Sequence, residues 1–265
     1  MLGGQISQLM TRPLGIKAVV NPLPATGGAD RETRDQAREA APLAVKALDR
    51  LVSTEDYADF TRVFAGIGKA SAARLFVRGA EFVHVTIAGA ADIPIARTDD
   101  LYRNLTEALR RFGDPYQAFQ VEIRELLLLV LTAGIRIDPD YRWNDVADAV
   151  RAALLDRYSF ERRSLGQSVP LSQVIATIQS TPGVVYTDVN AFGAVSQLDS
   201  SGALRAPQDL AAAMLAVTAA GGRPGNFVSA APARVVAGVA RPAQIAFFVP
   251  AVPDTLILNQ IEGGA

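Results

Sequence analysis

The sequence predicts an α+β fold made of two small, related α/β-layer units, with an extended N-terminal arm and an apolar C-terminal tail. Composition comes first: 265 residues that are 49% hydrophobic and 20% charged suit a globular chain with a real core and room for one large domain or two small ones. The second observation is a quasi-repeat. Phe64-Ala65-Gly66-Ile67 and Thr181-Pro182-Gly183-Val184 each stand between a helical pattern and strand-like runs, about 117 residues apart, a separation too long for a solenoid period. Third, Gly and Pro gather near the N-terminus, and Ala, Gly and Pro again after Ser201.

Asn21-Pro22-Leu23-Pro24-Ala25-Thr26-Gly27-Gly28 cannot be helix, because its prolines and glycines break every candidate turn, so 1–31 reads as an arm. Apolar spacing over Ala37, Ala41, Leu43, Val45, Leu48 and Leu51 predicts a helix interrupted near Pro42. Ser53-Thr54-Glu55-Asp56 is a helix start, with Ser53 as cap and Asp56 three residues on, followed by a stripe of Tyr57, Phe60, Val63 and Phe64. Residues 73–77 and 81–87 read as strands turning near Gly79.

Thr98-Asp99-Asp100 opens a helix through Phe112 that Gly113-Asp114-Pro115 ends. Phe119, Val121 and Ile123 alternate with polar residues and lead into the apolar run 126–131 and on to Ile137, as one long bent strand or two short ones. That run is far short of the roughly 18 residues a membrane helix needs. Asn144 is read as the cap of a helix carrying Val146, Ala149, Val150, Ala153 and Leu154, with a further helix over Pro170–Gln179. Strands are expected over 184–189 and 192–195, then a short helix over Asp209–Ala219 and an apolar tail containing Phe247, Phe248, Val249, Leu256, Ile257 and Leu258. The chain thus divides into an arm 1–31, a helical segment 32–66, a first α+β unit 67–137, a second 138–200, and a C-terminal extension with a docking tail 201–265.

The chemistry available is narrow. Without cysteine there is no disulfide, thiolate zinc site, iron–sulfur cluster or thiol nucleophile, and one histidine rules out a multi-histidine metal site. A net charge of -1 gives no global pull toward polyanions. His84 alternates with Phe82 and Thr86 on one strand face. It is either a half-buried sheet residue or a catalytic base, and the lack of an accompanying Ser or Cys motif favours the first. Asp138, Asp140 and Asp145 lack the turn glycine and the closing glutamate of a calcium loop and read as loop and cap residues. Gly27-Gly28 and Gly66-Ile67-Gly68-Lys69 lack the context of phosphate loops and read as turns. Arg157, Arg162 and Arg163 form a basic cluster, read first as a solvated face and second as a contact for a phosphate or acidic neighbour. Glu122 with Glu125, and Asp99 with Asp100, are carboxylate pairs of a kind that arises by chance. No catalytic, cofactor-binding or metal-ligating residue is assigned. The first residues lack the basic flank and apolar run of a secretory signal, so synthesis in the cytoplasm is expected.

Asn21 to Asp30, Arg38-Glu39-Ala40-Ala41-Pro42-Leu43, 49–57 and Phe64-Ala65-Gly66-Ile67-Gly68-Lys69-Ala70 together resemble the baseplate J-like family. Arg241-Pro242-Ala243-Gln244-Ile245 and 252–258 resemble its larger baseplate assembly proteins from contractile phage-tail-like injection systems. Members of that subgroup are usually longer, which implies a short version or a fragment. The resemblance implies a structural wedge component without enzymatic activity or cofactor, paired with a second J-like copy or paralogue and linked sixfold around the tube at the sheath base. Other wedge proteins, sheath, tube or spike are the implied partners, with no nucleic acid and no membrane-spanning segment expected, in a particle released from the cell or retained in it. Contacts are expected from the irregular, proline-fixed arm (Asn21, Pro22, Pro24, Gly27, Gly28, Asp30) and the apolar tail (Phe247, Phe248, Leu256, Ile257, Leu258). The alternative is a free-standing α+β oligomer that binds a small ligand.

Overall fold

Ser53 begins the first ordered element for a local reason. Its hydroxyl accepts the Asp56 N–H at 3.1 Å, while the Asp56 carboxylate accepts the N–H groups of Ser53 (2.7 Å) and Val52 (3.0 Å), a reciprocal box that satisfies otherwise orphaned donors. The Ser53 backbone donor above all holds the Asp56 carboxyl below its ordinary range. Helix α1, Thr54–Arg62, follows, with Tyr57 and Ala58 buried. Ser53→Ala is expected to cost about 1 kcal/mol, read as a lowered urea midpoint with an unchanged slope. The computed structural model describes residues 4, 5, 7, 18–22, 34, 51–199, 202–219 and 224–262. The helix expected over 31–52 lies almost wholly outside them, as do Pro24, Gly27, Gly28 and Asp30.

Gly66, at φ +91°, turns the chain from α1 into strand β1, Ile67–Val77. Strand β2, Ala80–Gly89, pairs with it antiparallel through a two-residue turn at Arg78 and Gly79, both at positive φ, as the twist of a hairpin requires. Helix α2, Asp100–Phe112, then crosses over to strand β3, Phe119–Ile123, which lies parallel to β2 and completes a sheet ordered β1-β2-β3. The Asp99 carboxylate does not cap α2; it accepts the Ala96 N–H behind it at 2.7 Å. Strand pleating divides β2: Val83, Val85 and Ile87 pack with Tyr57, Leu105, Leu109 and Val121 under the helices, leaving His84, Thr86 and Ala88 on the opposite face.

At Arg124 the chain changes sheets. Strand β4, Glu125–Ile137, is the centre of the second sheet, not the end of the first unit, so the unit boundary expected at 137 moves back to about the switch at Arg124. Helix α3, Trp143–Arg157, and helix α4, Leu171–Gln179, cover one face of it. Val146, Val150, Leu154, Val174 and Ile178 meet Leu127, Leu129, Leu131, Ala133 and Ile135 there. Leu126 and Leu128 point the other way, toward Ala88 of β2 and Phe160. Burial on both faces explains why the run does not alternate. The cap of α3 is Arg142, which places Asn144 inside the first turn.

Gly183, at φ +86°, is followed by strand β6, Val184–Ser196, so the quasi-repeat marks a real helix–glycine–strand junction. The two strands expected over 184–195 are this one strand, antiparallel to β4. Helix α5, Pro207–Ala219, lies against β6, with Val217 beside Gly193. Two short antiparallel pairs follow. One joins β5, Val169–Pro170, to β7, Phe227–Val228; the other is a hairpin of β8, Arg234–Val236, and β9, Val239–Arg241. Finally β10, Gln244–Phe247, and β11, Leu256–Gln260, lie end to end along the free side of β4, both parallel to it. The segment expected as an extension therefore completes the second sheet.

Candidate interaction surfaces

The residues singled out as tail contacts have mostly been used by the chain itself. Phe247, Phe248 and Leu256 are buried because β10 and β11 are strands of their own sheet: Tyr158 meets Phe248 edge-on at 6.0 Å between ring centroids, and Phe160 meets Phe247 at 5.6 Å. Their side chains face the chain's own core rather than an open surface. Leu258 is partly buried on the same core, and Ile257, on the opposite face of β11, remains 38% exposed. In the arm, Asn21 is half-buried and accepts the Gly4 N–H at 2.8 Å, while Pro22 is exposed.

Arg163 departs furthest from its reading as part of a solvated basic cluster. It is buried, donating to the carbonyls of Ala246 (3.1 Å), Gln167 (2.5 Å) and Ser168 (2.9 Å), and it lies over the Tyr158 ring. Burial pulls its guanidinium below the usual arginine value. Its work is to clamp β10 to the loop after α3, and Arg162 pairs with Asp156 at 3.0 Å at the surface. Lys69, in the weak phosphate-loop reading, donates to the Glu161 carbonyl at 3.0 Å with its ammonium over the Phe160 ring, and so ties the first layer to the second. Asp138 accepts the Asp140 N–H at 2.9 Å in a turn, and Asp145 lies in the first turn of α3.

Glu125 was passed over as a chance pair with Glu122, yet the two carboxylates belong to separate networks. Glu125 is buried and accepts from Arg234 (3.1 Å) and Gln244 (2.9 Å), with Arg241 at 3.8 Å. Glu122 binds Arg97 (2.5 Å) and Gln120 (2.7 Å). Only a pattern spanning more than a hundred residues could have revealed the first. Among the described residues no group of three or more His, Asp or Glu could hold a metal ion, and no helix is long and apolar enough to cross a membrane.

Among the described residues, surfaces at the β3 edge, the β8–β9 hairpin and α5 are open. The outer edge of β3 borders a groove of about 580 Å³ lined by Arg97, Tyr102, Thr106 and Arg110. The carbonyls of Ala118 and Ile87 pair β3 with β2, so the backbone groups of Phe119, Val121 and Ile123 turn outward, and the Tyr102 hydroxyl donates to the Val121 carbonyl at 2.8 Å. The β8–β9 hairpin presents Val235, Val236 and Val239, the last 58% exposed, around a turn at Ala237 and Gly238. Helix α5 carries Ala211, Ala212, Leu215 and Ala216 on its outer face, with Leu215 67% exposed. The valine hairpin and the outer face of α5 are apolar patches of the kind that neighbouring chains cover.

Residues 49–122 match the model of the Baseplate J-like central domain. The match begins just before α1 and stops at β3, so it covers the first layer. Among curated proteins none matches the chain. Among solved structures, the chain is similar to a component of the anti-feeding prophage (AFP) baseplate, determined by cryo-EM and 6-fold symmetrised. Identity is 16% and the TM-score 0.45, over 76% of this chain and 47% of that one, so the chain spans about half the length of that relative.

Proposed function

We propose that the chain is a structural wedge component of the baseplate of a contractile phage-tail-like particle, linking wedges into a sixfold ring around the tube at the sheath base. The observation that carries this reading is the family match over 49–122, on a segment that folds as one layer with its own core. The double-layered body supports it, because a load-bearing part needs a rigid frame and exposed surfaces on several sides, and the β3 edge, the valine hairpin and α5 offer such surfaces. The role is mechanical. Its partners are a second J-like copy or paralogue, other wedge proteins, and sheath, tube or spike. Synthesis and assembly take place in the cytoplasm, and the mature location is the particle, released or retained. Asn21, Pro22 and Ile257, with Pro24, Gly27, Gly28 and Asp30 of the arm, are the contact residues of this reading.

The rival is an α+β oligomer that takes a small ligand in the groove beside β3. A pulldown of the tagged chain from its native host separates the two. Sheath, tube and further baseplate proteins are expected in the eluate, and the purified chain should show no saturable thermal shift with metabolites. A small soluble species without tail partners, together with such a shift, would return the ligand reading.

A further inference from the structure

We infer that His84 makes the joint between the two sheets acid-labile, so that mild acidification loosens the attachment of the first sheet to the segment leading into β10. His84 is the single histidine of the chain and is 0% exposed, in mid β2 on the face turned away from α1 and α2. Its partners across the sheet are Ala73 on β1 and Gln120 on β3. Two residues along, the Thr86 hydroxyl oxygen lies 3.5 Å from His84 Nδ1 and accepts the Ala243 N–H at 3.0 Å. The Ala243 carbonyl in turn accepts the Glu125 N–H at 3.1 Å, where β4 begins. The histidine, the threonine and the entry to β10 therefore form one buried polar chain across the joint.

The hydroxyl oxygen accepts from Ala243 and faces Nδ1 as donor or as second acceptor, and in either tautomer the imidazolium carries a proton on both Nδ1 and Nε2. Among the described residues Nε2 has no hydrogen-bond partner. An imidazolium here would need an acceptor, and the neighbouring elements do not free one. On β3, Glu122 acts on the ring through its field, but its oxygens bind Arg97 and Gln120. On β1, Lys69 shares the face and adds positive charge. Around Ala243, Glu125 is held by Arg234 and Arg241, a group with one excess positive charge. Burial outweighs the pull of Glu122 and holds the imidazole below its ordinary value.

The sign follows. A base that binds its proton less readily when folded loses stability as pH falls below the unfolded value of about 6.5, because only the opened state then takes up the proton. Opening at the joint is enough to hydrate His84. The helix-covered cores of both layers lie on the far faces and need not separate. Unperturbed carboxylates titrate below this range, so His84 is the side chain whose ordinary value lies between about pH 5.5 and 7.5.

The test uses the full chain with its histidine ring isotopically labelled, so that one NMR resonance reports one site, alongside hydrogen exchange at matched intrinsic rates. The resonance is expected to titrate below about pH 6.5, and protection over 243–247 to fall about ten-fold between pH 7.5 and 5.5 while α1 and α2 hold. His84→Gln, which keeps a polar side chain but cannot titrate, should flatten that pH dependence. A resonance titrating at or above its ordinary value, or an equal loss of protection in His84→Gln, would overturn the inference. Should that variant fail to fold, the wild-type resonance together with the exchange profile of Thr86→Val still decides: removing the hydroxyl link should lower protection over 243–247 at neutral pH, and unchanged protection would count against it.

Discussion

Truncation before Gln244 should leave a chain that cannot hold its second sheet. The deletion strips β10 and β11 from one whole side of β4 and removes Ile245, Phe247, Phe248 and Leu256, all buried. At about 1.5–3 kcal/mol for each fully buried apolar side chain, those four alone account for about 6–12 kcal/mol, comparable with the total stability of an ordinary domain. The deletion also removes the Ala246 carbonyl that Arg163 binds and the Gln244 amide that Glu125 binds. The expected result is loss of near-ultraviolet dichroism and of the cooperative melting transition, with aggregation from the exposed edge of β4. A soluble, cooperatively folded truncation that fails only to assemble would show instead that the tail serves neighbours rather than its own core.

Arg124→Ala should be the most costly single change at the junction of the layers. Arg124 is the one residue between β3 and β4, and its guanidinium, 11% exposed, grips both oxygens of Asp92 (2.5 and 2.6 Å to Nη2) and reaches Gln197 at 3.3 Å. Ala91 and Asp92 stand at φ +50° and +59°, a left-handed pair that non-glycine residues adopt only when their surroundings hold them there. Removing the arginine leaves the Asp92 carboxylate without its cation and releases that constraint. The expected loss is about 2–3 kcal/mol, below the range for a fully buried pair because Asp92 keeps some water. Arg124→Lys should recover less than half, since an ammonium cannot reproduce the fork. A urea midpoint unmoved by either substitution would mean that the two layers are fixed elsewhere.

The local features were legible in the sequence where short-range chemistry decides them. Ser53 and Asp56 announced α1, the turn near Gly79 announced the β1–β2 hairpin, and the glycines at 66 and 183 announced two equivalent helix-to-strand junctions. What could not be read was which strands become neighbours. Nothing near Glu125 signals that β4 leaves the first sheet, because its antiparallel partner β6 follows only after two helices and its parallel partners β10 and β11 come from still farther along the chain, with no turn joining them to it. The same distance hid the use of Arg163 and Glu125. Both are charged residues next to loops: Glu125 is satisfied by side chains more than a hundred positions away, and Arg163 by the distant Ala246 carbonyl together with those of Gln167 and Ser168 close by. The tail's place in the sheet was hidden for a related reason: an apolar segment must be covered, but composition does not say whether its own chain or another covers it.

The central claim is that the chain is a baseplate part, and its position in a particle tests that most directly. A tag on the exposed β8–β9 turn at Ala237–Gly238, visualised by electron microscopy on the high-speed pellet from the native host, should mark one end of rod-shaped particles, at the base of the sheath. Label spread along the rods, or found only on small soluble species while intact rods stay bare, would contradict it.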